Sequence, residues 1–238
     1  MSRRYTIITG YHDEPVNKFG VDPLAFFETW LANTRGCFPD AVATYVFDTC
    51  PRRLPASHDQ VRWLRMAFNP GHAHDLDKGV IDFPAKLCGC TLSTITGMLM
   101  AYYNNSDMLF KEQDCLTFNM TADTLYEALG DKSILLGPPE HTGCNLACES
   151  SLHLVRRDYI PGLVARLLAH PAPDAGPGFK RQEAKWMDCV AAEDLALLPF
   201  GYGRLRPECG CGFSHAGPWY MQQIKFEELI VLDLKGLI

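Results

Sequence analysis

Glu112, Gln113 and Asp114 stand where an apolar run ends. Met108, Leu109 and Phe110 read as a buried strand, and Lys111, Glu112 and Asp114 then arrive together in "DMLFKEQDC". Charges at the end of a buried strand are costly unless they are paired or hold something. When the chain bends into a turn, an acid-x-acid pair brings two carboxylates near one side. Hard divalent cations favour such oxygen donors, and Mg2+ or Mn2+ takes one or two carboxylates together with phosphate oxygens. A solvated surface turn would carry the same residues. Tyr202, Arg204 and Arg206 lie in the glycine-flanked segment "LPFGYGRLRP", where arginines would either neutralise phosphate or cap a sheet edge. His215 in "FSHAGPWY" and the cluster His72, His74 and Asp75 in "GHAHD" complete the residues able to ligate or exchange protons.

Alternating elements must position these groups. "YTIITG" is β-branched and apolar, a buried strand closed by the polar loop "YHDEP". Asp22-Pro23 reads as an N-cap with proline at the first helical position, and Leu24, Phe27 and Leu31 share the face of the helix that follows. "ATYVFD" and "VRWLRMAF" are the next strands, and a long helix is expected from about Lys86 to Tyr103. "DMLFKE" follows as a strand. "TADTLYEALG" is a short helix capped by Thr121 and stopped by Gly130. "SILLG" and "SLHLVRR" are strands, "DYIPGLVARLLAH" and "KRQEAKWMDCVAAEDL" are helices around the loop "PAPDAGPG", and "LLPFGYGRLRP" is a strand leading into a turn. A final helix is expected over roughly Gln222 to Leu232. Strands and helices alternating in this way predict an α/β fold with a mostly parallel sheet. Ligands then lie beyond the carboxyl ends of the strands. "TGYHDEP", "FDTCP" and "FKEQDC" should therefore converge on one rim.

Composition narrows the classes. With 238 residues, 47% of them hydrophobic and 21% charged, the chain suits a single globular domain with a sizeable core. The formal net charge of −6 disfavours a nucleic-acid partner. No apolar run reaches the roughly 18–20 residues of a membrane span, and the apolar stretch after Arg4 is too short for a secretory signal. A cytoplasmic location is the expectation. The ten cysteines, including the pairs Cys88/Cys90 and Cys209/Cys211, read as reduced thiols packed as small apolar groups. A non-enzymatic zinc or redox module built on the CxC pairs is the alternative.

In order, these parts resemble the nucleotide-sugar glycosyltransferases of the GT-A fold. "YTIITGYHDEP" resembles that family's first strand and nucleotide loop, and "RMAFNPGHAHDL" the later strand that delivers "NPG" before a helix. "AYYNNSDMLFKEQDCLTF" resembles the unit carrying the metal-binding DxD motif, with Glu112 in place of its first Asp. The resemblance covers about residues 5–120 and, more loosely, the remainder. It implies a GT-A, Rossmann-like, mostly parallel sheet in one domain, with a nucleotide-sugar and metal half over about 1–120 and an acceptor half over about 121–238. It implies Mn2+ or Mg2+ on Glu112, Asp114 and His215. Thr9, Gly10, Tyr11, Asp13, Asp48, Lys86, Arg204 and Arg206 would receive a nucleoside-diphosphate sugar. The sugar would pass to a carbohydrate or glycoconjugate hydroxyl, with Glu183, Glu149 or Asp188 as base if the anomeric centre inverts. Glu183 is preferred, because it follows the "PAPDAGPG" loop at a helix start. A nucleotidyltransferase on a similar sheet is a further alternative, weakened by the lack of a lysine between "TG" and Lys18.

Overall fold

Strand β1 (Tyr5–Tyr11) is buried on both faces, as the apolar and β-branched run "YTIITGY" requires. The computed structural model describes residues 3–11, 23–48, 61–65, 89–138, 148–171, 182–202 and 217–224. After β1 come helix α1 (Pro23–Cys37), strands β2 (Ala43–Asp48) and β3 (Val61–Arg65), helix α2 (Gly89–Tyr103), and strands β4 (Asp107–Lys111) and β5 (Cys115–Phe118). Helix α3 (Ala122–Leu129), strands β6 (Ile134–Leu136) and β7 (Leu152–Val155), and helices α4 (Ile160–Ala169) and α5 (Gln182–Cys189) follow. Strands β8 (Leu195–Leu197), β9 (Gly201–Tyr202) and β10 (Tyr220–Gln223) close the described chain.

Seven strands form the main sheet in the order β3-β2-β1-β4-β7-β6-β8, and β5, β10 and β9 form a second sheet of three. Pairing is parallel throughout β3, β2, β1 and β4, and again between β6 and β8. Only β7 runs against its neighbours, β4 on one side and β6 on the other. The expected α/β, mostly parallel sheet flanked by helices is therefore present, with one reversed strand.

Two cores sandwich the main sheet. Alternation along the strands sends Ile8, Met108 and Phe110 to one, beside Ile95 and Met98 of α2 and Leu163 and Leu167 of α4. It sends Ile7, Tyr11 and Leu109 to the other, where Phe27, Trp30 and Leu31 of α1 and Leu125 and Leu129 of α3 are buried. Phe27, Trp30 and Leu31 follow the i, i+3, i+4 spacing, and each buried side chain contributes about 1.5–3 kcal/mol of transfer free energy. Helix α3 matches its expected caps. The Thr121 hydroxyl accepts from Thr124 N, the Thr124 hydroxyl accepts from Thr121 N, and the helix stops at Gly130 with φ +58°.

The expected final helix needs correction at its start, because Gln222 and Gln223 belong to strand β10. β10 pairs antiparallel with β5, Gln223 opposite Cys115 and Tyr220 opposite Phe118. "CLTF" and "YMQQ" are too short to show a period of their own, and each becomes a strand by pairing with the other.

Helix α2 lies close against β1 at Gly97. A Cβ there would sit 2.5 Å from Cγ2 and 2.9 Å from Cγ1 of Ile8, a stiff and fully buried side chain. Gly97→Ala should lower stability by up to about 2 kcal/mol. Overpacking of about 1–3 kcal/mol is offset in part by the roughly 1 kcal/mol that alanine gains in a helix. Urea unfolding should also show Gly97→Ala with Ile8→Ala to be less destabilised than the two single losses added. Strict additivity would contradict the close approach.

Candidate functional site at the carboxyl rim of the sheet

Because β1, β2 and β4 are parallel neighbours, their carboxyl ends share a rim. Tyr11 pairs with Asp48, and Ile8 with Phe110, one residue before Lys111. β7 runs the other way, so its first residues reach the same rim, with Leu152 opposite Lys111. The reversed strand thus carries "ESS" to "KEQD". Glu112 N donates to Ser151 O at 2.7 Å, which extends the pairing by one residue. Glu112 to Cys115 then forms a β-turn closed by Cys115 N donating to Glu112 O at 3.0 Å, with Gln113 and Asp114 at its central positions. Ile224 N donates to Asp114 O at 2.9 Å and ties the turn to the end of β10.

The Ser151 hydroxyl lies 2.7 Å from Glu112 Oε2 and 2.6 Å from Glu149 Oε1. Gln223 Nε2 also donates to Glu112 Oε2, at 2.9 Å. Glu149 Oε1 further accepts from the backbone N of Ser150 at 2.9 Å and of Ser151 at 3.0 Å. The backbone of Glu149 is fixed by Gly137, whose N donates to Glu149 O at 2.8 Å. A Cβ on Gly137 would come within 2.6 Å of that oxygen, so the approach requires glycine. Below the rim, His153 is sandwiched by Phe110 and Trp186, and its Nδ1 lies 2.8 Å from Ser150 O. Burial pushes His153 down to about 4, so it is neutral at pH 7 and its Nδ1–H donates.

Lys111 does not answer these acids. Strand alternation turns it to the α1 side, fully buried, with Nζ 2.6 Å from Asn33 Oδ1 and 2.8 Å from Thr34 Oγ1. Its ammonium also lies 5.6 Å from the centre of the Trp30 ring and 6.0 Å from that of Phe38. Burial lowers Lys111 from its ordinary value to about 8. Asn33 meanwhile accepts from Thr117 N at 3.0 Å and donates to Thr117 O at 2.8 Å, as a neighbouring strand would. Lys111 and Asn33 so hold β4 and β5, the two arms of the acid turn, against α1.

Of the residues singled out in the sequence, Glu112 and Glu149 meet through Ser151, and Asp114 sits in the turn beside them. Thr9 and Gly10 lie near the end of β1, with the Thr9 hydroxyl buried and 3.4 Å from Gly10 O. The Tyr11 ring packs edge-on against Phe27 and Trp63, so its face belongs to the core. Asp48 ends β2. Asp188 lies on the outside of α5, 3.0 Å from His170 Nε2. Glu183 belongs to the first turn of α5. Trp186, three residues on, touches His153 near the rim, and Ser133 N donates to Asp194 O at the far end of the sheet. The amino end of α5 therefore lies nearer the rim than the turn that follows the helix. Asp13, Lys86, Arg204, Arg206, His215 and the "GHAHD" cluster lie outside the described residues. Sequence reasoning did not single out Ser151, Gln223, Asn33 or His153. A serine two residues after a candidate acid was a usable signal for Ser151, whereas Gln223 was concealed by its assignment to a helix.

Among the described residues, no three His, Cys, Asp or Glu side chains gather as a ready-made metal site. The donors at the turn are all oxygen. They suit a hard cation that draws most of its shell from water and phosphate, not a self-contained protein cage. Cys37, Cys115, Cys148 and Cys189 are reduced thiols, and burial pushes the Cys115 thiol far up, which makes it inert. Cys88, Cys144, Cys209 and Cys211 lie outside the described residues.

No protein-family model matches the chain. No curated protein matches it either. Solved structures do. One is a galactosyltransferase, LgtC, determined in complex with donor and acceptor sugar analogues: 9% identity, TM-score 0.52, covering 92% of this chain and 86% of that one. Another is the 4-diphosphocytidyl-2C-methyl-D-erythritol synthase of Anaerococcus prevotii: 9% identity, TM-score 0.51, covering 98% of this chain and 95% of that one. At such identity the likeness is one of fold alone. None of the described helices is long and apolar enough to cross a membrane.

The buried ammonium gives a signed pH test. Below pH 8 Lys111 is protonated in both folded and unfolded chains, and the folded state bears the full cost of the buried charge. Between 8 and the ordinary 10.5 the unfolded chain binds more protons, so that cost fades as pH rises. Lys111→Met should therefore be most favourable relative to wild type below pH 8. By pH 10.5 its advantage should shrink by about 3 kcal/mol, read by urea unfolding at both ends. A gap that does not change with pH would contradict a buried, titrating Lys111.

Proposed function

We propose that the chain is a metal-dependent glycosyltransferase that moves a sugar from a nucleoside-diphosphate sugar to a hydroxyl of a carbohydrate or glycoconjugate. The observation that carries this reading is the acid turn Glu112–Asp114, backed by Glu149 through Ser151, at the rim where the parallel strands end. Ser151 has one proton for two carboxylate oxygens, so the cluster holds more negative charge than its own donors neutralise. Asp114 and Glu112 would hold Mn2+ or Mg2+, which when bound supplies positive charge against the departing diphosphate.

The chain's own groups divide the remaining work. Glu149 Oε1 accepts from the backbone N of Ser150 and of Ser151 and shares the one Ser151 hydroxyl proton with Glu112, so hydrogen bonding to its charged form makes that oxygen a poor proton acceptor. Its role is to orient Ser151 and, through it, Glu112. Gln223 holds the same Glu112 oxygen from the other sheet. A base for an inverting reaction is then sought in Glu183, at the rim-side start of α5, where the helix amino terminus favours a carboxylate. Arg204, Arg206 and His215 are proposed to face the diphosphate. A second reading, nucleotidyl transfer, is favoured by the likeness to the diphosphocytidyl-methylerythritol synthase over nearly the whole of both chains. The two differ in product: nucleoside diphosphate from a nucleotide sugar, or pyrophosphate from a nucleoside triphosphate.

Asp114→Asn keeps size and removes charge. It should abolish the extra thermal stabilisation seen when Mn2+ and a nucleoside diphosphate are added together, beyond the sum of each alone. Turnover should fall by more than tenfold at saturating Mn2+, while the unliganded melting temperature barely moves. Near-normal turnover in Asp114→Asn would overturn the metal assignment. Glu183→Gln should lower turnover about 10²–10⁴-fold with nucleoside-diphosphate affinity intact, as loss of a general base does. Full activity in that variant would remove Glu183 from the mechanism.

A further inference from the structure

The opposite end of the main sheet holds a second concentration of charge, of the other sign. Arg3 and Arg4 precede β1, and Arg156 and Arg157 follow β7. Because β7 is reversed, both pairs arrive at the amino edge of β1 and β4. All four arginines line one cavity of about 360 Å³, together with Asp107 and Tyr126. Glu112 lies five residues along β4 from Asp107, roughly 16 Å at the rise of a strand. The cavity is therefore separate from the acid turn.

The hydrogen bonds show which charges are neutralised. Arg3 pairs with Asp123, and Arg157 lies 3.4 Å from Asp158 while stacking over Tyr102. Asp107 accepts from Tyr126 Oη at 2.6 Å and from Arg157 N at 2.7 Å, neutral donors that fix its carboxylate in place, so one negative charge stands among the four guanidinium groups of the cavity wall. Arg4 and Arg156 meet no carboxylate among the described residues. Arg156 donates through Nε to Lys132 O and through Nη2 to Gly130 O, each at 2.7 Å, and so caps the end of α3. Arg4 makes only long contacts, 3.4 and 3.5 Å, to Asn105 O and Asn104 O. The cap accounts for Arg156 alone. It does not account for Arg4, which with Arg156 leaves two guanidinium groups at the cavity without a carboxylate partner among the described residues. Carbonyl acceptors fix a guanidinium without neutralising it, and the remaining N–H groups suit the oxygens of a phosphate. A volume near 360 Å³ falls in the range of small-molecule sites, larger than a bare ion needs.

We infer that this arginine-lined cavity at the amino edge of the sheet is a second ligand site, one that takes the phosphate group of a small phosphomonoester. The site does not depend on the transferase assignment, and binding there needs no divalent cation.

Isothermal titration in EDTA with glycerol 1-phosphate and, separately, with inorganic phosphate tests it. Wild type should bind glycerol 1-phosphate, and Arg4→Gln, which disturbs only two long exposed contacts, should weaken binding about tenfold or more. Arg156→Lys keeps the charge but loses the planar fork, and should weaken it as well. Asp114→Asn should bind as wild type does. Tighter binding of glycerol 1-phosphate than of inorganic phosphate would show that the organic portion occupies the cavity, and equal binding would show that the phosphate alone is read. Both results support the site. Absence of binding in EDTA, affinity unchanged in Arg4→Gln and Arg156→Lys, or affinity lost in Asp114→Asn would overturn it.

Discussion

A lysine ammonium buried among neutral partners constrains this end of the molecule. Lys111 has no carboxylate beside it among the described residues, only Asn33, Thr34 and two aromatic faces. Such a charge is tolerated only when its donors are met with good geometry, and meeting them fixes α1 relative to the end of β4. Asn33 passes the constraint on. Its one carboxamide serves the ammonium and both backbone groups of Thr117, so β5 cannot slip without losing both of the latter bonds. The acid turn lies between these two anchored strands, and its shape follows from them.

Reversal of one strand has an equally large effect. Had β7 run parallel to β4, Glu149 and Ser151 would lie at the amino edge and Arg156 and Arg157 at the carboxyl rim. The antiparallel pairing of Leu152 with Lys111 brings the acids together at one end and the arginines together at the other. The opposed electrostatics of the two rims therefore follow from a single register. Gly137 is part of that register, because only a residue without a Cβ lets the end of β6 approach Glu149 O.

Legibility in the sequence followed locality. β1, β2, α1 and α3 could be read because their signals lie within a few residues: a β-branched run, a proline at the first helical position, Thr121 and Gly130 bounding eight helical residues. β5 and β10 could not, because each is four residues long and its reason to be a strand lies about a hundred residues away. "MQQIKFEEL" is rich in helix formers, and pairing with β5 overrides that preference at its start. The acids of the candidate site were legible by type and position. Their partners were not. Ser151 and Gln223 are ordinary polar residues until register places them against Glu112, and the facing of Lys111 toward α1 emerges only from the alternation of a strand whose end was uncertain by a residue.

The bond from Gln223 to Glu112 joins residues 111 positions apart. A ribosome making this chain therefore completes α1, the first four strands and the acid turn long before the donor that steadies Glu112 exists. Through that interval the nascent chain carries a cluster of carboxylates with one hydrogen-bond donor missing and β5 with an open edge. The acidic rim reaches its final form only once β10 has emerged, which leaves the early fragment dependent on the contacts of α1, the Asn33 clamp and Cys37 Sγ on Thr117 O, to keep β5 in register.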